Sequence, residues 1–208
     1  VVLTVTSSDT GEATVNTPLT FTSANWNTPQ TVTVTGVDDN LIDGNINSTI
    51  TIVVDDANSD NDFDAVANQT VTATTTDDDV AGFTIAQTGG STAVAETGTT
   101  DTFTVVLNAQ PASDVVLAIT SSDTGEATVN TPLTFTSGNW NTPQTVTVTG
   151  VDDNIIDGTI SSTITIAVDD ANSDNDFDPI ADQNVAATTT DNDVAGFTVA
   201  QTGGSTSV

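Results

Sequence analysis

Residues 1–94 recur as residues 115–208 with 79 of 94 positions identical, so the chain repeats with a period of 114 residues. This repeat is the strongest constraint on the fold, because each period must bury its own hydrophobic face or share it with an equal neighbour. A period of 114 is far longer than a solenoid unit and matches one ordinary domain. SSDTGEATVNTPLTFTS stands unchanged at 7–23 and 121–137, and NWNTPQTVTVTGVDDN at 25–40 and 139–154. Such copies reflect duplication, so sameness alone marks no residue as functional.

Within each period the apolar residues alternate with period two between clusters of Asp, Asn, Gly and Pro, which is the pattern of half-buried strands. QTVTVTG (30–36 and 144–150) places Val32 and Val34 on one face and threonines on the other. STITIVV (48–54) turns Ile50, Ile52 and Val54 inward, and TFTVVLN (102–108) turns in Phe103, Val105 and Leu107. Further strands are expected at 1–6, 18–22, 71–76 and 81–87, and no window has a helical stripe. Roughly seven short strands with turn signals every 8–12 residues predict an all-β chain of tandem Greek-key β-sandwiches of Ig-like type. Trp26 and Trp140, one per copy, are expected to cap a core or an edge.

The boundary between domains is placed after TTTDDD, where VAGFTIAQ begins a new alternating segment. Residues 80–193 are then one complete sandwich, 1–79 a sandwich lacking its first strands, and 194–208 the opening strand of a third. The chain is accordingly expected to be an internal window of a longer array. No Gly/Ser or Pro linker parts the units, so neighbouring repeats of the same chain are the first expected partners, and the same protein in a filament the second.

Composition then removes most chemistry. The chain has 29 acids, no Lys, Arg, His, Cys or Met, and a formal net charge of −29. With no cation to neutralise phosphates, nucleic-acid binding and docking on anionic membranes are excluded. Without His or Cys there is no Ser-His-Asp triad, no thiol nucleophile, no zinc or haem site and no disulfide. No apolar run approaches the ~20 residues of a membrane span. Enzymatic activity is not expected. The D-T-G at Asp9 and Asp123, reminiscent of aspartic proteases, lies in two repeat-related turns of separate domains.

The acids themselves are skewed and grouped, with Asp at 26 positions and Glu at three. Asp38, Asp39 and Asp43 form one group, Asp55 to Asp64 a second, and Asp77, Asp78 and Asp79 a third. The second copy repeats them all. Adjacent carboxylates repel by about 1 kcal/mol per pair even in water, and no basic side chain relieves them. Two readings follow: a hard divalent cation with six to eight oxygen ligands, calcium first, or a solvated acidic face. SDNDFD at 59–64 looks like half an EF-hand loop, but it has no Gly at the sixth place and no Glu at the twelfth.

On these motifs the repeat resembles the Calx-β domain of sodium–calcium exchangers and large bacterial surface proteins. Members open with a Glu in a short V-x-E-x-G-like turn, carry a DD-x-x-x-acid loop before a late strand, and close on an acidic triplet. The matching residues are Glu96 in VAETG, Asp152, Asp153 and Asp157 in VDDNIID, and Asp191 and Asp193 in TTTDNDV, with Asp123 the weaker match to an acid between the third and fourth strands. In the first copy they are Asp9, Asp38, Asp39, Asp43, Asp77, Asp78 and Asp79. The second triplet departs from the family at Asn192, and the loop has Ile-Asp where an aromatic-acid pair is usual. The resemblance implies that these loops meet at one end of the sandwich and share Ca2+ near the next domain.

The function expected from this reading is a calcium-stiffened structural repeat of a long extracellular adhesin or filament on a bacterial surface. A calcium-sensing regulatory pair is the first alternative, disfavoured by the near-identity of the copies. A carbohydrate- or ice-binding module using Thr ladders such as Thr31, Thr33 and Thr35 is the second.

Overall fold

A computed structural model describes residues 1–204 and is all-β, with 42% of residues in strands and 6% in short helical turns. The chain divides into two compact units, Val1–Val80 and Ala81–Val208. In the second unit the described strands are β7 (Phe83–Gln87), β8 (Thr92–Ala95), β9 (Thr100–Leu107), β10 (Val115–Ser121), β11 (Ala127–Val129), β12 (Leu133–Phe135), β13 (Gln144–Gly150), β14 (Ile160–Val168) and β15 (Gln183–Thr190). In the first they are β1 (Val2–Ser7), β2 (Ala13–Val15), β3 (Leu19–Thr20), β4 (Val34–Gly36), β5 (Ile46–Val54) and β6 (Gln69–Thr75).

The second unit is a two-sheet sandwich, with β12-β10-β14-β15-β8 in one sheet and β11-β13-β9-β7 in the other. All pairings are antiparallel except β15 with β8, which run parallel with Thr189 beside Val94. Alternation sends Phe103, Val105 and Leu107 of β9 and Val146 and Val148 of β13 inward, where they are fully buried. From the facing sheet come Leu117, Ile119, Ile164, Ile166 and Ala187, capped by Phe135 and Phe177. Each such side chain contributes roughly 1.5–3 kcal/mol by leaving water. Trp140 is half-buried beside β9, and its carbonyl accepts the Leu107 N–H at 3.1 Å.

In the first unit the strands β3-β1-β5-β6 form one sheet and β2-β4 a two-stranded ribbon. Among the described residues it has no counterpart of β7, β8 and β9. The consequence falls on the 30–36 segment, where the sequence predicts a seven-residue strand with Val32 and Val34 inward. Only Val34–Gly36 is strand, and Val34 is exposed. Alternation records a strand's own preference, whereas the ladder also needs a partner, and β9 supplies it only to β13. Trp26 caps nothing and is 70% exposed. Residues 194–204 form no strand, although their sequence repeats that of β7; the remainder of 194–208 lies outside the described residues.

Candidate metal centre

Four segments converge at one end of the second unit. Parallel pairing of β8 to β15 carries Ala95 to the level of Thr190, so the turn after β8 meets the acidic triplet after β15. The Glu96 N–H donates to the Thr190 carbonyl at 3.1 Å, and Gly98, at φ +80°, closes the turn on Ala95. The loop leaving β13 brings Asp152, Asp153 and Asp157, and Val151 N–H donates to the carbonyl of Glu126, just ahead of β11. Glu126 is thereby held at the mouth of the sandwich.

The carboxylates of Glu96, Asp191 and Asp193 offer oxygens within 4.8 Å of one another, and so do those of Glu96, Glu126 and Asp157. Glu96 is 1% exposed and Glu126 6%. Glu96 Oε1, Glu126 Oε2 and Asp193 Oδ2 are buried with no hydrogen-bond partner. Such groups are costly to leave unmatched.

Local hydrogen bonds hold the remaining acids in place. Asp191 Oδ2 accepts the N–H groups of Gly158 at 2.9 Å and Asp157 at 3.1 Å, and its Oδ1 accepts that of Asp193 at 2.6 Å. The backbone N–H groups of Gly158 and Asp193 keep Asp191 below the usual carboxylate range. Burial, then the charges of Asp157 and Glu96, pushes Glu126 up. Glu96 keeps one stabilising hydrogen bond from the Asn192 N–H, yet burial and the charges of Asp191, Asp153 and Asp157 raise it too. Asp193 rises through burial and then Asp191 and Asp152. One carboxylate is thus locked ionised by backbone donors while three around it resist ionisation for want of a counter-charge.

The first unit repeats the arrangement without a Glu96 counterpart. Glu12, Asp39 and Asp43 lie within 4.8 Å of one another. Asp77 accepts from Gly44 at 2.8 Å, from Asp43 at 3.2 Å and from Asp79 at 2.8 Å, and these backbone donors lower it. Burial leads the upward shifts of Glu12, Asp43 and Asp79. Together with Asp38 and Asp78 these residues line a cavity of about 20 Å³, the size of a water or an ion and far below an organic ligand site.

Asp9 and Asp123 stand outside these groups, although their charges reach Glu12 and Glu126. Each closes its own turn, with Oδ1 accepting from Gly11 at 2.9 Å or Gly125 at 3.0 Å. The acid that reaches the cluster is the Glu three residues on, Glu12 or Glu126, which the sequence reading did not include. A signal was available: the chain has three glutamates, at 12, 96 and 126, and all three belong to the clusters. The second SDNDFD loop, 173–178, is engaged away from the clusters, with Asp174 accepting from Ser113, ahead of β10, at 2.7 Å and from Asp176 at 3.1 Å. Although burial works the other way, those donors hold Asp174 below its ordinary value.

Every donor in the clusters is oxygen, mostly carboxylate, which suits a hard divalent cation and neither zinc nor copper. The partnerless oxygens of Glu96, Glu126 and Asp193 supply the positions such an ion would take.

No family model matches the sequence, and no curated protein matches it. Among solved structures, domains 4 and 5 of the S-layer protein SbsC overlap 90% of this chain and 70% of their own, at 17% identity and TM-score 0.39. The S-layer protein rSbsC(31-844) overlaps 95% of this chain at 21% identity and TM-score 0.41, and this chain spans 21% of its length. An endo-fucoidan hydrolase of glycoside hydrolase family 107 overlaps 93% of this chain at 14% identity and TM-score 0.31. Overlaps at these scores carry no argument about activity.

Proposed function

We propose that this chain is a pair of calcium-binding structural repeats, of Calx-β-like type, from an extracellular bacterial surface protein such as an adhesin or filament. The observation that carries the reading is the carboxylate cluster around buried Glu96, in which the buried Glu96 Oε1, Glu126 Oε2 and Asp193 Oδ2 lack partners in a chain without a single basic side chain. Calcium matches the donor set, and by joining loops from four parts of the second unit it would tie β8, β11, β13 and β15 at one end. The structural role is supported by the apolar sandwich interior beneath the clusters and, at the acids of the first unit, by a space of about 20 Å³, the size of an ion.

The carbohydrate- or ice-binding alternative draws less support. Thr6, Thr51 and Thr70 lie side by side across β1, β5 and β6, but the corresponding row in the second unit ends at Asn184, and Thr72 is replaced by Ala186. A regulatory pair would be expected to diversify its two sites, yet over the repeated residues their acids differ only at Asp78 and Asn192, Glu96 having no counterpart among residues 1–80.

The test is calorimetric melting of the 208-residue chain in chelator, in millimolar Mg2+ and in millimolar Ca2+ at constant ionic strength. A ligand at a hundredfold excess over its dissociation constant adds about 2.7 kcal/mol. Calcium should raise the melting midpoint strongly and magnesium less. Equal midpoints in chelator and calcium would overturn the proposal.

A further inference from the structure

Over the repeated residues the two acid clusters differ at one place, where the first unit has Asp78 and the second Asn192. Asn192 makes two contacts there. Its backbone N–H donates to Glu96 Oε2 at 3.1 Å, and its side-chain amide donates to Asp152 Oδ1 at 2.8 Å. The amide is turned by its surroundings, because the opposite orientation would set its carbonyl oxygen against a carboxylate. An ionised Asp at the same place, as in the first unit, is an acceptor only and has no proton to offer.

The contact sets Asp152 apart from the other acids of the second cluster. Asp191 is held by the backbone N–H groups of Asp157, Gly158 and Asp193, and Asp153 closes its own turn on the Ile155 N–H at 2.6 Å. Asp152 takes its hydrogen bond from a side chain forty residues on, in a different loop. It is near enough for its charge to weigh on Asp193. Yet it belongs to neither of the groups whose oxygens lie within 4.8 Å of one another, Glu96 with Asp191 and Asp193, and Glu96 with Glu126 and Asp157. Those groups hold five carboxylates, enough to neutralise a divalent ion in each without Asp152.

We propose that Asn192 is a specificity-determining residue of this cation site: its amide detains Asp152, so that calcium is bound by the carboxylates around Glu96 without Asp152, and more weakly than the same loops would bind it with Asp at 192. The inference rests on the calcium reading above. The cluster is a candidate site on grounds separate from the amide, since Glu96 and Glu126 are both buried with an oxygen unmatched. Calcium affinity follows the number of charged ligands, so an amide that withholds one carboxylate lowers it twice, by its own neutrality and by the acid it occupies.

The experiment titrates calcium into the 208-residue chain and follows by NMR the backbone amides of Gly98 and Gly158, both in the second unit. The parent is compared with Asp152→Asn, Asn192→Asp and the double variant. Asp152→Asn should leave the affinity within about threefold of the parent, because an exposed charge outside the ligand set is screened. Asn192→Asp should raise it by about tenfold or more, and the gain should shrink to less than about threefold in the double variant, the coupling that such a cycle isolates. An equal gain with and without Asp152 would mean that position 192 acts through its own charge alone, and overturns the proposal. So does a loss of more than about threefold from Asp152→Asn, which would make Asp152 a ligand of the parent. In chelator the side-chain amide resonances of Asn192 should move on Asp152→Asn; if they stay in place the contact is not held and the proposal falls. Glu96→Gln separates this inference from the reading beneath it. A Glu96→Gln chain that binds calcium like the parent overturns both, whereas a loss of about tenfold or more there, beside a contrary result at Asp152, overturns this inference alone.

Discussion

Glu126 and Asp123 stand three residues apart and do opposite work. Asp123 spends its oxygen on the Gly125 N–H, while Glu126 is buried with one oxygen unmatched. Glu126→Gln keeps the shape and removes a charge that burial penalises. It should raise the metal-free melting point by roughly 4 °C, the shift that about 1 kcal/mol produces in a domain of this size, and diminish the rise with calcium. Asp123→Asn should leave the calcium response nearly intact. Melting each variant in chelator and in calcium checks both. The pH dependence of the metal-free chain follows from the same residues. Glu126, Glu96, Glu12 and Asp193 have folded-state pKa values raised above their ordinary ones. The native state therefore binds more protons than the unfolded state just above the ordinary carboxylate range, and stability falls as pH rises through that window. Asp191, Asp77 and Asp174 are lowered and contribute the reverse: stability present above their unfolded values and lost only at lower pH. The metal-free chain should accordingly melt higher at about pH 5 than at about pH 7.5, and saturating calcium, which needs ionised ligands, should reverse that order. Midpoints across pH with and without calcium decide it; a metal-free midpoint that rises steadily to neutral pH contradicts the assignment.

The strands were largely legible because alternation is a property of the strand itself. TFTVVLN, STITIVV and the 144–150 segment emerge as β9, β5 and β13; the expected inward residues of β9 and β13 are buried, whereas in β5 Ile50 is buried and Ile52 and Val54 are half-buried. Pairing was not legible in the same way. Nothing in TAVA announces that β8 runs parallel to β15, yet that register sets Glu96 beside the triplet. The three-residue β2 and β11 were also missed, and with them the reason Glu126 points into the cluster. Much of the site was visible as acidic clusters, but their convergence depends on these pairings. Gly150, at the end of β13, offers a test at this scale. A Cβ there would collide with the Ala95 carbonyl oxygen, in the backbone leading to Glu96, whereas at the counterpart Gly36 the nearest atom is the Thr75 methyl at 3.8 Å. Gly150→Ala should destabilise the second unit by about 1–3 kcal/mol, the usual cost of overpacking, and weaken its calcium response. Gly36→Ala should be nearly neutral. Urea unfolding of the two variants gives the comparison, and equal effects would mean that the β8 turn does not press on Gly150.

Across the whole molecule the two units share most of their sequence and differ in core. The buried apolar residues of the first are Val5, Ala13, Leu19 and Ile50, with Leu3, Val15, Phe21, Val32, Ile52 and Ala73 packed partly around them. The second adds a full interior from β9, β10, β13 and β14. Local opening is governed by buried apolar contacts and protected backbone hydrogen bonds, so the units should open at different free energies despite common sequence. Calcium should widen the gap, because the cluster of the second unit includes the buried Glu96 and that of the first has no such ligand. Added NaCl should change it less, since screening acts on all 29 acids alike. Trypsin has no site in a chain without Lys or Arg, but chymotrypsin can attack Trp26 and Phe63 in the first unit and Phe197 in the tail after β15, all exposed, while Phe103, Phe135 and Phe177 within 81–193 are sealed. Limited chymotryptic digestion should therefore cut the first unit well before residues 81–193, with calcium lengthening the survival of residues 81–193 more than that of residues 1–80. Equal resistance of the two units in chelator would mean that the exposed aromatics of the first are covered in solution.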